Sequence, residues 1–234
     1  MSLSPDIIAT LEKVTTATIT TMLLKKGIRH CWMQGAMPFA HATGKRLVGP
    51  AFTLRFVPVR EDLATPASWG KPISTRAAIE AMPEGCIAVA DAMGVTTAGI
   101  FGDILCMRMV RRGVTALVTD GVVRDKTGVV ATGLPVWCQG TAAPASVNGL
   151  TFVGWQEPIA CGGVAVFPDD VIVADDDGAV LIPKDLVAFV AEEGEEHERY
   201  ETWVVSEVER GVPLPGLYPP NDEAKARYDK WKKK

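Results

Sequence analysis

The clearest pattern in the chain is a pair of short apolar runs separated by a stretch with helical periodicity. Residues 86–90 and 114–119 are continuous runs of mostly apolar residues, many of them β-branched, which is typical of buried strands. Between them, apolar residues recur at helical spacing over 102–112, and Gly113 follows as a helix stop. The pattern predicts a strand–helix–strand unit in which the two strands are parallel.

Other segments predict further strands and helices. Alternation of apolar and polar residues predicts a half-buried strand over 51–57. Further predicted strands cover 134–138, 164–167, 171–174 and 179–182, with Asp-rich turns between the last three. Predicted helices cover Ser4 to Gly27, with Pro5 at the first helical position, 73–81, and 184–210, the last with a weak point at Gly194. Predicted loops cover 44–49, 60–72 and 140–163.

These elements predict one α/β domain over residues 1–211. The loop 60–72 is long enough to be expected to serve as a functional lid. Residues 212–234 contain four prolines between 213 and 220 and few core residues, so they are expected to form an extended arm that packs on a neighbouring subunit.

Composition narrows the expected partners. The chain has 234 residues, a net charge of −4 and a pI near 5.5, so nothing favours binding to nucleic acid. It shows no signal pattern and no apolar run of membrane-spanning length, so no membrane partner is expected.

Its five cysteines form no Cys-x-x-Cys pair, which suits a reducing compartment. Two of them, Cys86 and Cys138, are expected to be buried apolar residues that fill space in the core. We expect a cytoplasmic protein.

The parallel strands bring two loops to one edge of the predicted sheet. Ligands bind at the carboxyl ends of strands in open α/β sheets. One loop leads into the helix start at Gly102, Asp103, Ile104 and Leu105, whose free backbone N–H groups suit a carboxylate or phosphate. The other loop follows Asp120 and carries Arg124, which could grip the same anion through two N–H groups.

The carboxylates of these loops suggest a cation. Asp125 could hold a divalent ion, and Asp103 could orient a metal-bound water or move a proton. His30, His41 and His197 show no zinc-like pairing, so oxygen ligands and Mg²⁺ or Mn²⁺ are expected. The alternative is that Arg124 and Asp125 form a surface turn and that Asp103 is only a favourable acid in the first turn of a helix.

Several other chemistries lack support. The glycines near 94–102 match neither a dinucleotide-binding fingerprint nor a phosphate-binding P-loop, and no Gly-x-Ser-x-Gly elbow is present. Lys126 could form a Schiff base only if its pKa were lowered by desolvation, and nothing in the sequence indicates that.

The two halves of this site together resemble a known family. Gly102-Asp-Ile-Leu105, a helix, and then Asp120-Gly-Val-Val-Arg-Asp125 are similar to the 4-hydroxy-4-methyl-2-oxoglutarate/4-carboxy-4-hydroxy-2-oxoadipate aldolases. These are class II pyruvate aldolases that share a fold with the regulator of ribonuclease activity A. The similarity extends from about Gly44 to the run at 177–183, roughly 60% of the chain.

The resemblance implies a swivelling β/β/α domain with a C-terminal helix and an arm, homotrimers or homohexamers, and a bound Mg²⁺ or Mn²⁺. It implies that Asp125 binds the metal, that Arg124 holds the 2-oxo acid end of the substrate, and that Asp103 positions a catalytic water. The backbone of Gly102, Asp103, Ile104 and Leu105 would receive the carboxylate. A glutamate from a neighbouring subunit would also reach the site; the candidates are Glu192, Glu193, Glu195, Glu196 and Glu198.

The implied activity is metal-dependent retro-aldol cleavage of a 4-hydroxy-2-oxo di- or tricarboxylic acid to pyruvate and a second oxo acid. Oxaloacetate decarboxylation is expected as a side activity. One alternative is a non-catalytic regulator that binds ribonuclease E, although the regulator branch lacks the acid that Asp103 supplies here. Another is a related lyase that acts on a different 2-oxo acid.

Overall fold

The computed structural model describes residues 3–40 and 44–233 of the chain. Its α-helices are α1 (Pro5–Leu11), α2 (Thr16–Lys25), α3 (Thr75–Ala81), α4 (Asp103–Arg111), α5 (Lys126–Ala131), α6 (Val187–Glu209) and α7 (Asp222–Trp231). Its strands are β1 (Met37–Ala40), β2 (Leu47–Pro58), β3 (Ile87–Asp91), β4 (Ala116–Thr119), β5 (Val136–Cys138), β6 (Leu150–Trp155), β7 (Ile159–Cys161), β8 (Val164–Val166), β9 (Val171–Asp175) and β10 (Gly178–Ile182). Short 3-10 helices cover Pro66–Gly70, Ser146–Asn148 and Lys184–Leu186.

One mixed sheet of eight strands organises the fold. Seven strands follow the order β1-β5-β4-β3-β2-β9-β10, and β6 pairs with β2. The strands β2, β3, β4 and β5 are parallel neighbours, and β7 and β8 form a separate hairpin. The predicted strand–helix–strand unit is confirmed: β3 and β4 are parallel, with Ile87 opposite Ala116, and α4 connects them.

Both faces of the central strands are buried. In β3, Ala88 and Ala90 face a core that includes residues of α3 and α4, whereas Ile87 and Val89 face a second core that includes the β7–β8 hairpin. This explains why β3 reads as a continuous apolar run instead of an alternating one. The predicted filler role of Cys86 and Cys138 is confirmed, since both are buried, and burial raises the pKa of each thiol to about 11.

The strand predicted over 51–57 is longer than its alternation indicates. β2 begins at Leu47, so the predicted loop over 44–49 is partly wrong. Its first residues pair with β9 and the rest with β3 and β6, which joins the two parts of the sheet. Gly49 resembles a loop residue in sequence, but a Cβ there would lie 2.7 Å from the carbonyl oxygen of Gly85. Close backbone packing, rather than a turn, therefore requires the glycine.

The N-terminal segment forms two helices where the sequence suggested one interrupted helix. Ser4 caps α1 as predicted, and Thr15 caps α2, so the threonine-rich segment starts a second helix. A third core joins α1, α2 and α6 to β9 and β10. Within residues 3–40 and 44–233, no single helix is long and apolar enough to cross a membrane; α1 and α2 meet that requirement only jointly, across a bend of 102°.

Gly194 is a packing position, so its prediction as a weak point was wrong. The helix α6 continues through it, and a Cβ at this position would lie 2.7 Å from a methyl carbon of Val14. The predicted loop over 140–163 also needs correction, because it contains β6 and β7.

The segment after Gly211 is not an extended arm, and this prediction was wrong. It contains α7, which is capped by Asn221 and returns to α6 of the same chain. Tyr228 of α7 packs against Trp203 of α6 with ring centroids 5.5 Å apart, and both side chains are nearly fully buried. These aromatic contacts supply the apolar burial that the proline-rich sequence concealed. Contact with a neighbouring subunit stays a prediction.

Candidate functional site

Backbone hydrogen bonds join the two predicted loops beyond the ends of β3 and β4. The N–H of Ile100 donates to the carbonyl of Val122, and the N–H of Arg124 donates to the carbonyl of Phe101, both at 2.9 Å. The parallel pairing of the strands therefore continues, after a gap, in the loops. The expectation that the two loops lie side by side is confirmed.

Three glycines allow the loops and helices to approach this closely. A Cβ at Gly99 would lie 2.8 Å from the Cβ of Arg124, and one at Gly102 would lie 2.6 Å from Oδ2 of Asp125. A Cβ at Gly128, in α5, would lie 2.7 Å from Oδ2 of Asp103. Any larger residue at these positions would have to displace a predicted functional side chain or its backbone.

Asp103 begins α4, and Gly102 is its N-cap. The first helical hydrogen bond runs from the N–H of Cys106 to the carbonyl of Gly102 at 3.0 Å. The preceding amides have no acceptor within the helix and carry its partial positive charge. One carboxylate oxygen of Asp103 accepts from the N–H of Ile104 at 2.7 Å, which fixes the aspartate over the first turn. The geometry therefore offers the amides of Asp103 and Leu105 beside a carboxylate, while the N–H of Ile104 is engaged by Asp103.

Arg124 and Asp125 form a strained pair that contributes little to stability. Nε of Arg124 lies 3.0 Å from Oδ2 of Asp125, and the two side chains are 37% and 44% exposed. Ion pairs this exposed contribute between zero and about 1 kcal/mol. Asp125 adopts the left-handed conformation, with φ of 55° and ψ of 49°, which costs a non-glycine residue about 1 kcal/mol or more. Strain without compensating stability is typical of functional sites.

The predicted residues line one cavity of about 270 Å³. Gly102, Asp103, Ile104, Leu105, Arg124 and Asp125 all contribute to its wall. The same cavity is also lined by Trp69, Thr75, Arg76 and Ser146. The structure thus brings together all six sequence-predicted site residues; their individual roles stay predictions.

Sequence reasoning missed Thr75, Arg76 and Ser146 as site residues. Arg76 lies in the first turn of α3, with no chemical motif around it. The loop 60–72 was singled out only by its length, and it contributes Trp69 through its 3-10 helix. None of residues 3–40 lines this cavity.

The cavity fits a cation that keeps part of its hydration. Its carboxylates are those of Asp103 and Asp125, and no cluster of three or more His, Cys, Asp or Glu side chains occurs in the part of the chain that the structure describes. Mg²⁺ commonly binds through one or two carboxylates together with water and substrate oxygens, whereas a dedicated Ca²⁺ or Zn²⁺ site uses more protein ligands. Of the three histidines, His41 lies outside the described residues.

Asp120 does not line this cavity, and its role is to hold neighbouring loops together. Its buried carboxylate accepts hydrogen bonds from the N–H groups of Ala92, Gly94 and Gly162 at 2.8 to 3.2 Å. Burial raises the pKa of this carboxyl above its ordinary value, although the three donors favour the charged form. Asp120 therefore holds the loop after β3 and the β7–β8 turn against the loop that carries Arg124.

The structure narrows the choice among the five candidate glutamates. Three are engaged within the chain: Glu195 by Lys13, Glu196 by Tyr228 and Lys232, and Glu198 by Thr15. Glu192 and Glu193 are exposed and have no side-chain partner among residues 3–40 and 44–233. These two stay the candidates for reaching a neighbouring subunit.

Comparison with protein families gives one extended match. The family model described as RraA-like, Aldolase/RraA, matches residues 16–181. The match begins well before Gly44, where the similarity read from the sequence starts.

Individual relatives and solved structures agree with this match. The chain is 37% identical, over 59% of its length and 60% of the relative's, to a Halalkalibacterium halodurans protein named "Putative 4-hydroxy-4-methyl-2-oxoglutarate aldolase". It is 30% identical to the protein DlpA of Legionella pneumophila over 61% of its own length and 22% of that protein. The matched parts therefore span less than two thirds of either relative.

The fold is also found in solved crystal structures. The Streptomyces coelicolor protein RraAS2, described as an unusual member of the RNase ES inhibitor RraA protein family, superposes with a TM-score of 0.76 and 34% identity, covering 87% of this chain and 97% of that one. An uncharacterised Pseudomonas syringae protein superposes with a TM-score of 0.77 at 24% identity, covering 93% and 95% of the two chains. The predicted fold of the regulator-of-ribonuclease-activity-A type is confirmed.

The close approach at Gly102 predicts a test of the cation site. We expect Gly102→Ala to weaken Mn²⁺ binding about tenfold or more, because the new methyl group would displace the Asp125 carboxylate. Gly154→Ala is the matched control, since its Cβ would meet its nearest neighbour at 3.9 Å. Titration of free Mn²⁺ by its electron paramagnetic resonance signal measures both variants. Equal affinity of Gly102→Ala and the wild-type protein would contradict the prediction.

Proposed function

Because the chain belongs to the RraA-like, Aldolase/RraA family, we propose that it is a divalent-metal-dependent lyase. It cleaves a 4-hydroxy-2-oxo di- or tricarboxylic acid to pyruvate and a second oxo acid. The observation that carries this proposal is the single cavity whose wall combines Asp103, Arg124 and Asp125 with the first-turn amides of α4. That set can bind a 2-oxo carboxylate and a cation side by side.

Asp125 would hold the cation, Mg²⁺ or Mn²⁺, with its carboxylate, whose Oδ2 atom already accepts a hydrogen bond from Nε of Arg124. When bound, the cation acts as a Lewis acid on the 2-oxo acid group and supplies the electron sink for the reaction. Because the cavity has only the carboxylates of Asp103 and Asp125, water and substrate oxygens would have to supply the other ligands of such a cation.

Arg124 and the amides of Asp103 and Leu105 bind the reacting end of the substrate, because the N–H of Ile104 already donates to Asp103. The amides receive the carboxylate at the positive end of α4. The Arg124 guanidinium donates to the 2-oxo oxygen and stabilises the negative charge that this oxygen gains in the pyruvate enolate. The hydrogen bond from the N–H of Arg124 to the carbonyl of Phe101 sets the position of the arginine relative to the helix start.

Asp103 positions the water that moves the proton. This water removes the proton of the C4 hydroxyl, the C3–C4 bond breaks, and its electron pair moves into the enolate of pyruvate. Protonation at C3 then completes pyruvate, while C4 becomes the carbonyl carbon of the second product. Decarboxylation of oxaloacetate releases carbon dioxide and gives the same pyruvate enolate, so it is the proposed side activity.

Removing Arg124 tests the charge-stabilising role. We expect Arg124→Ala to lower kcat by about 10²- to 10³-fold, because the oxygen that becomes negative loses its donor. Arg111→Ala is the control: this exposed arginine lies at the other end of α4. Pyruvate release, followed by coupling to lactate dehydrogenase, measures each variant. Wild-type kinetics in Arg124→Ala would contradict the role.

A second candidate function is regulation of ribonuclease E without catalysis. The similarity to RraAS2 favours it, since that protein is described within an RNase ES inhibitor family. Asp103 at the cavity favours the enzyme, because the regulator branch is expected to lack this acid. A lyase of the same chemistry acting on another 2-oxo acid is the third candidate, and a wider substrate panel distinguishes it.

An affinity experiment separates the regulator from the enzyme. We expect the purified chain not to retain ribonuclease E on a column while it releases pyruvate from a 4-hydroxy-2-oxo acid with Mg²⁺. Retention of ribonuclease E, together with no pyruvate release, would reverse this assignment.

A further inference from the structure

A second arginine lines the cavity that contains the proposed reacting end, and it comes from a separate helix. Arg76 is in the first turn of α3, whose start is fixed by the Ser74 hydroxyl accepting from the N–H of Ala77 at 3.2 Å. The residue lines the same cavity as Asp103, Arg124 and Asp125.

No carboxylate of the described chain neutralises this arginine. The acid one turn along α3 is Glu80, and Arg108 of α4 engages both its oxygens at 2.7 Å. Within residues 3–40 and 44–233, Arg76 makes no ion pair of its own. The Glu80–Arg108 pair also joins α3, which carries Arg76, to α4, which begins at Asp103.

Trp69 holds the Arg76 side chain in place. The guanidinium carbon lies 4.9 Å from the centroid of the indole ring. Among residues 3–40 and 44–233, the Arg76 guanidinium makes no hydrogen bond, so its N–H groups are free to donate to a ligand. Arg76 is thus an exposed cation with unused donors that contacts one aromatic ring at the cavity.

The charges on the cavity wall fit a substrate with two carboxylates. Asp103 and Asp125 oppose Arg76 and Arg124, so the protein groups sum to zero, and a divalent cation would add two positive charges. A monocarboxylic 2-oxo acid would leave one positive charge unbalanced, whereas a dicarboxylic acid would neutralise the cavity.

We propose that Arg76 binds the distal carboxylate of the substrate and selects dicarboxylic over monocarboxylic 4-hydroxy-2-oxo acids. This inference rests on the proposed function, because Arg124 and the cation are taken to occupy the other end of the substrate. Arg76 is therefore a specificity-determining residue that does not contact the bond that breaks.

Two ligands that cannot be cleaved test the inference without requiring turnover. 2-Oxoglutarate and 2-oxopentanoate have the same chain length and differ by a carboxylate in place of a methyl group. By calorimetry with Mg²⁺, we expect the wild-type protein to bind 2-oxoglutarate about 10- to 100-fold more tightly, as a charge-assisted arginine contact predicts. Arg76→Met should reduce this preference to about threefold or less by weakening only the diacid.

Arg111→Met is the matched control, and it should retain the wild-type preference because Arg111 does not line the cavity. Arg76→Lys should retain part of the preference, because it keeps the charge but loses the paired donors. The same pattern is expected in kcat/KM for 4-hydroxy-4-methyl-2-oxoglutarate against 4-hydroxy-2-oxopentanoate.

The outcomes separate this inference from the proposed function. A wild-type protein that prefers the diacid ligand and loses this preference in Arg76→Met supports the subsite even if it cleaves nothing, and the absence of cleavage would reject only the lyase. Three results would overturn the subsite. The wild-type protein could show no preference, the Arg76→Met variant could lose the same factor of affinity for both ligands, or that variant could keep the full preference. Cleavage of both substrates in that case would leave the lyase standing.

Discussion

The candidate site depends on the backbone pairing between residues 99–101 and 122–124. The hydrogen bonds from Ile100 to Val122 and from Arg124 to Phe101 form a second parallel pairing past the ends of β3 and β4, in a different register from that of the strands. They place the start of α4 beside Arg124 without using any functional side chain. All the proposed chemistry follows from this contact, because the helix amides, the acid and the arginine would otherwise belong to separate loops.

The strand–helix–strand unit could be predicted because its signals are local. β3 and β4 are continuous apolar runs, and Gly113 terminates α4 with a φ of 75°. β6 and α7 could not be predicted in the same way. β6 is a partly exposed strand that contains Gly154, and the prolines before Asn221 conceal a helix whose stability comes from Tyr228 packing on Trp203. Those contacts join residues that are distant in sequence.

The candidate site likewise has one part that could be predicted from the sequence and one part that could not. The half made of the 102–105 and 120–125 segments has recognisable spacing, because one short crossover joins its two parts. Arg76 and Trp69 have no such spacing, and only the packing of α3 against α4 shows that they face the same cavity. The part of the site that is close in sequence carries out the proposed chemistry. The part that comes from a distant segment of the chain determines the proposed selectivity.

The most direct measurement of the central claim is pyruvate release by the wild-type protein from a panel of 4-hydroxy-2-oxo acids, coupled to lactate dehydrogenase. The account predicts turnover with Mg²⁺ or Mn²⁺, its loss after treatment with EDTA, and its recovery when the cation is restored. Full activity after removal of the metal, or no pyruvate from any member of the panel, would contradict it.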